Sequence, residues 1–202
     1  MFQLPSATLI NKPLYKKAVF EKFNLKTAER DRFDADISKM ALVARVSTAT
    51  VPALKEGTEI KGFYVLQVIL KHKEYDAKNI LMLNKLIPQD MVFALQYESE
   101  TQFCVFHTRL QQSDWQPTDT ATIPLQGLTL DDVWNNIVAT IGDLDATAEE
   151  SIEEQIVNRE QRDKLLQQIE MLEKQCRTEK QTHRKYELFQ KIEELKKEIV
   201  NE

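Results

Sequence analysis

The side chains able to ligate a metal or act as a nucleophile are few and dispersed. Histidine occurs at His72, His107 and His183, and cysteine at Cys104 and Cys176. No CxxC pair and no closely spaced histidine pair is present, so neither a zinc site nor a disulfide framework is expected, and two free thiols suit a reducing compartment. Cys104 and His107 are three apart in a segment read as a strand. The two-residue period sends their side chains to opposite faces, which rules them out as a nucleophile–base pair. Carboxylates fare no better. A metal-dependent nuclease of restriction-endonuclease type needs an acidic residue and an E-x-K on adjacent strands to hold a divalent ion. The segment that would carry them reads Gln67-Val68-Ile69-Leu70-Lys71. Glu59 precedes it, and Glu74 and Asp76 follow it, with Asp76 better read as a helix cap. No catalytic residue, metal or cofactor is assigned.

Cations make the one remaining chemical pattern. Arg177, Lys180, Arg184 and Lys185 are spaced 3, 4 and 1 apart, so on one helix most would share a face. Such a face, with Gln181 among it, could contact phosphates, each contact adding a salt-sensitive increment. The same cations could equally pair with Glu173, Glu179 and Glu187 as weak helical ion pairs.

The elements around these residues fall into two regions. The last 54 residues carry 14 acidic and 11 basic side chains, and all six prolines and four glycines precede residue 148. The division expected is therefore an α/β core over 1–148 and a charged helical segment over 149–202. So few glycines exclude Gly-rich phosphate loops and hairpin-rich β architectures. The net charge of −5 disfavours a surface that grips nucleic acid throughout. The N-terminus lacks a basic region followed by an apolar run, and no 18-residue apolar stretch occurs, so a soluble cytoplasmic protein without membrane contact is expected.

Within the first region, helices are expected at 16–23, 27–40 and 77–87, the second opened by Thr27 and presenting Phe33, Ile37 and Met40, the third closed by Pro88. Strands are expected at 41–47 and 62–71, with a hairpin of 91–98 and 102–110 turning at 98–101. An edge strand near 121–126 would accommodate Pro124. A helix at 130–142 buries Val133, Ile137 and Ile141, with Trp134 widening its face and Gly142 placed to end it. Trp115 and Trp134 are read as core or interface anchors. Parallel pairing of 62–71 with 91–98 across the 77–87 helix would make one right-handed crossover. The fold class is α+β, a small mixed α/β core followed by an α-helical hairpin or coiled-coil arm.

In the second region Leu165, Ile169, Leu172 and Cys176 recur at spacings of 4, 3 and 4, and Leu188, Ile192, Leu195 and Ile199 repeat them. Each seam spans two heptads, enough to bury a stripe and too short to stand alone. The polar stretch 177–187 interrupts them. A hairpin turning near 176–178 is favoured by a capping box of Thr178 and Gln181, while the lack of Gly or Pro favours one long helix whose stripes would need a second copy or another protein.

Several blocks resemble a bacterial family of unknown function: FQLP, INK and FEKF at the start, FYVLQVILKHKEYD, KLIPQDMVFALQYE, LQGLTLDDVWNNIV and LEKQCRTEKQTHRKYEL. The most specific pieces are Lys85-Leu86-Ile87-Pro88 and Glu179-Lys180-Gln181 with Arg184-Lys185. The resemblance implies a gene beside superfamily-2 helicases and DNA methyltransferases in restriction or phage-defence islands, and carries over no catalytic residue. The function expected is a non-catalytic accessory subunit that docks on a larger protein, of helicase or methyltransferase type, through its helical segment. Homo-oligomerisation through the same helices, DNA contact by 177–185, and a metal-dependent nuclease using Glu59 or Glu74 are the alternatives.

Overall fold

The computed structural model describes residues 1–201, with side chains through Ile199. It is mixed α/β, and its contacts divide it into two compact units, 1–152 and 153–202.

The first unit is organised by one sheet. A single 3-10 turn precedes β1 (Leu9–Pro13), α1 (Lys16–Phe23), α2 (Thr27–Asp36), β2 (Ile37–Val46), β3 (Phe63–Leu70), α3 (Ala77–Leu86), β4 (Asp90–Tyr97), β5 (Glu100–His107), β6 (Arg109–Gln112), β7 (Gln116–Pro117) and α4 (Leu130–Gly142). The strands lie in the order β1-β2-β3-β4-β5-β6, with β7 also on β5. All neighbours are antiparallel except β3 and β4, whose register pairs Val65 with Val92 across the α3 crossover. The parallel pair follows from sequence chemistry. Both strands are near-continuous apolar runs buried on two faces, and α3 starts where the Asp76 carboxylate accepts the Lys78 N–H at 2.9 Å.

Alternation along β3 and β4 sorts the two faces of the sheet. Leu66, Val68, Leu70, Met91, Phe93 and Leu95 pack with Val19, Phe33, Ile80 and Leu83 of the first three helices. The opposite face carries Phe63, Val65, Gln67 and Ile69, and α4 covers part of it, with the Trp134 ring 5.5 Å from Phe63. Loop 55–61 is held against the start of α4 by Asp131. Its carboxylate accepts the N–H of Ile60 at 2.8 Å and the N–H and hydroxyl of Thr58 at 2.6 and 2.7 Å. These donors hold the carboxyl down to about 2, the Ile60 N–H contributing most and the Thr58 hydroxyl next. Gly57 is required there, because a Cβ would come within 2.1 Å of the Asp131 oxygen.

Several expectations need correction. The helix expected over 27–40 stops at Asp36, and Ile37–Met40 begins β2. Its N-cap position is Lys26, not Thr27, and Glu29 Oε2 accepts the Lys26 N–H. The segment expected as one strand over 102–110 turns at Thr108, in the left-handed region, to start β6. Residues 121–126 form no strand. Ala121 and Ile123 are buried there instead, and the Ile123 N–H donates to the Phe2 carbonyl. Gly142 is the last residue of α4, and it is Asp143 that adopts the left-handed cap at φ 52°.

The second unit is a helical hairpin, α5 (Ile152–Thr178) followed by α6 (Thr182–Asn201). Glu173 Oε1 and Lys196 Nζ lie 3.2 Å apart, and Cys176 Sγ lies 3.7 Å from the Lys185 carbonyl. On one straight helix Glu173 and Lys196 would be about 35 Å apart at 1.5 Å per residue. The chain turns at 179–181 without glycine or proline. Glu179 takes their part, its Oε1 accepting the N–H groups of Lys180 and Gln181 at 2.8 and 2.9 Å. The Gln181 carbonyl then accepts the first helical bond of α6, from the Lys185 N–H. Thr178 makes no capping box. Its hydroxyl donates back to the Lys174 and Gln175 carbonyls at the end of α5. Among the described residues no helix is long and apolar enough to cross a membrane.

Candidate functional site

Two places in the molecule gather side chains suited to recognition. The first is the helical hairpin. Leu165, Ile169, Leu172 and Cys176 on α5, and Leu188, Ile192, Leu195 and Ile199 on α6, are buried or half-buried, with Ile169 and Ile192 the deepest. Their burial is achieved inside one chain. Off this seam the helices expose large apolar side chains at Val157, Leu166, Met171, Tyr186 and Phe189.

The cations of 177–185 do not share a helix face, because the turn divides them. Arg177 is in the last turn of α5, 3.9 Å from Glu173. Lys180 is in the turn, and Arg184 and Lys185 open α6. Lys180, Gln181 and Arg184 do line one groove, with Glu179, Glu187 and Lys191, whereas Arg177 and Lys185 do not line it. The groove is of mixed charge. Glu179 keeps its carboxyl below the ordinary value, chiefly through the Gln181 N–H and also through the nearby Arg184 charge.

The second place is a cleft of about 400 Å³ on the sheet face that also carries α4. It is lined by Pro13, Leu14, Tyr15 and Lys16 from the end of β1 and the start of α1, by residues 38–41 of β2, and by Gln67 and Ile69 of β3. The strand register builds its floor, pairing Pro13 with Ala41 and Ala41 with Gln67. Lys16 is engaged by Asp34 at 2.5 Å. Lys39 is exposed and has no ion pair among the described residues.

From this floor a row of hydrogen bonds runs across the sheet. Gln67 Nε2 donates to Gln96 Oε1 at 2.5 Å, and Gln96 Nε2 donates to Thr101 Oγ1 at 3.2 Å. Thr101 Oγ1 lies 2.8 Å from Thr118 Oγ1. Thr101 is fully buried, so its hydroxyl depends on these partners. Gln67 thus stands on the strand where a nuclease would need its carboxylate, with its amide committed to a neighbouring amide.

The other residues with reactive potential are placed away from one another. Glu59 and Glu74 lie beyond opposite ends of β3, whose eight residues span about 26 Å. Asp36, His72, Glu74 and Asp76 line a shallow recess at the C-terminal end of β3. Asp36 is occupied structurally, since its Oδ2 accepts the Asp76 N–H and the Asn79 amide, and its Oδ1 lies 3.4 Å from His72. Among the described residues no group of three or more His, Cys, Asp or Glu side chains could hold a metal ion. Cys104 is buried at 3.7 Å from the Tyr75 hydroxyl, which donates to Gln102 at 2.8 Å. Burial pushes the Cys104 thiol up to about 12, the Tyr75 and Gln112 hydrogen bonds opposing it, and burial likewise raises the Tyr75 hydroxyl. A thiol held this way is not an activated nucleophile.

Sequence reasoning singled out neither the cleft residues Tyr15 and Lys39, nor the row Gln96, Thr101 and Thr118 beside it, nor the exposed pair Tyr186 and Phe189. The aromatic pair does have a signal in the sequence, two rings three residues apart and off the 4-3-4 seam. The cleft has none, since its parts are separate until the strands pair.

No curated protein and no solved structure matches the chain. A family model described as Domain of unknown function (DUF4391) matches residues 2–199.

Proposed function

The chain belongs to that family of unknown function, and from this premise we propose that it is a non-catalytic interaction subunit docking on a larger protein through α5 and α6. The observation that carries the reading is the pair Tyr186 and Phe189, which lie three residues apart on α6 and are 61% and 55% exposed. The seams are already satisfied within the hairpin, so these rings contribute nothing to its core. Aromatic side chains among charged ones are the composition of an interface anchor. The family resemblance implies a partner that acts on DNA, a helicase or a methyltransferase.

Burying each ring is worth about 1.5–3 kcal/mol, so losing both weakens docking by about 10²–10⁴-fold. The test is binding of the purified full-length chain to the purified helicase or methyltransferase encoded beside it. A Tyr186→Glu, Phe189→Glu variant is expected to lose that affinity while keeping its helical circular dichroism. Unchanged affinity in this variant, or in a chain lacking 149–202, refutes docking through the hairpin.

A further inference from the structure

We propose that the cleft over β1, β2 and β3 is a binding site for a nucleotide, its base against Gln67 and Tyr15 and its phosphate at Lys39. The inference goes beyond the docking function and uses none of the same residues.

The hydrogen-bond row sets what Gln67 can offer. Thr101 Oγ1 accepts from Gln96 Nε2 and lies 2.8 Å from Thr118 Oγ1. Gln96 Oε1 accepts from Gln67 Nε2. Both amide nitrogens of the row donate away from β3, which leaves Gln67 Oε1 as the end without a partner among the described residues. This carbonyl, on a half-buried residue that lines the cleft with Ala41 and Ile69, is available to accept an N–H from a ligand bound there. Each nucleobase carries such a donor on its edge, an exocyclic amine or a ring N–H.

The walls specify the rest of the ligand. Tyr15, 73% exposed, stands with Pro13 at one side and presents a ring on which a planar base can stack. Lys16 is neutralised by Asp34, which leaves Lys39 as the cleft's one uncompensated cation and suits a single phosphate group. The first turn of α1, which starts at the same wall, holds no acidic residue to oppose an anion. A volume of about 400 Å³ falls within the range of small-molecule sites. A free nucleoside monophosphate and the 5′-terminal nucleotide of a DNA strand share this chemistry.

Calorimetric titration of the full-length protein tests the site. The probes are the four deoxynucleoside 5′-monophosphates, deoxyribose 5-phosphate, inorganic phosphate and a 5′-phosphorylated single-stranded oligonucleotide. Saturable binding of at least one nucleotide is expected, with deoxyribose 5-phosphate and the Lys39→Glu variant each weaker by roughly tenfold or more. Gln67→Leu is expected to erase the preference for a nucleotide over the baseless sugar phosphate. Lys85→Glu, on α3 and outside the cleft lining, is expected to bind as the parent does. Tighter binding of the oligonucleotide than of its terminal mononucleotide assigns the site to a strand end, and equal binding assigns it to free nucleotides. The proposal is overturned if no nucleotide or oligonucleotide binds at millimolar concentration, or if Lys39→Glu binds as tightly as Lys85→Glu. Lys39 is exposed, so that comparison holds even if Gln67→Leu fails to fold.

Discussion

Replacing Thr101 by Val removes one buried hydroxyl and keeps the shape of the side chain. Two hydrogen bonds go with it, one from Gln96 Nε2 at 3.2 Å and one shared with Thr118 Oγ1 at 2.8 Å. A neutral hydrogen bond contributes about 1 kcal/mol net, and more when a fully buried partner is left unsatisfied. Gln96 and Thr118 are only half-buried and can partly rehydrate, which keeps the loss near the lower figure. The extra methyl and the strand preference of Val offset part of it, so the expected cost is about 1–2 kcal/mol. For a unit of 152 residues that lowers the melting temperature by roughly 2–8 °C and the urea midpoint by about 0.5–1 M. Tryptophan fluorescence is the appropriate probe, because Trp115 and Trp134 both lie in the first unit and the second has none. Thr118→Val attacks the same bond from the other side. The double variant should therefore lose less than the sum of the two single variants, by about 0.5–1.5 kcal/mol. Additive losses, or a Thr101→Val midpoint equal to that of the parent, refute the row as a connected chain.

Acid unfolding should report on Asp131. Its carboxyl is held at about 2 in the folded chain against an ordinary value of 3.8, so its contribution is present above about pH 4 and disappears as the pH falls through about 2. Asp131→Asn is therefore expected to be less stable than the parent near neutrality, with the gap closing over that interval. Urea midpoints measured at several pH values check this, and a constant gap contradicts it. The two thiols should separate cleanly under a maleimide at pH 8, mapped by mass spectrometry. Cys176 is half-exposed and labels in the native protein, whereas Cys104, buried with its thiol pushed up to about 12, labels only on unfolding. Prompt native labelling of Cys104 contradicts the packing around Tyr75.

Where one short window of chain carries the whole signal, the sequence reading and the structure coincide. The 4-3-4 spacing of Leu165 to Cys176 and of Leu188 to Ile199 describes the least exposed apolar side of each helix. The apolar runs around α3 announce the parallel β3–β4 crossover. Ile37 and Met40 show how a short window misleads. They are three apart, a helical spacing, yet they belong to β2. An irregularity in the β2–β3 register between Ile37 and Lys39 lets residues three apart face the same core. The turn at 179–181 was hidden for a different reason. A glutamate side chain satisfies the backbone there, and no turn residue marks it.

Fold class, the change of character near residue 148 and the apolar seams were written into local composition and period, because each needs only neighbours a few positions apart to be visible. The sheet order, the division of the 177–185 cations and the cleft were decided by long-range pairing. Tyr15, Lys39 and Gln67 are ordinary polar or aromatic residues in sequence. They acquire a shared environment only when β1, β2 and β3 pair edge to edge. The same pairing sets Gln67 in the cleft lining with its amide nitrogen committed to Gln96, a property of the assembled sheet that no single segment contains.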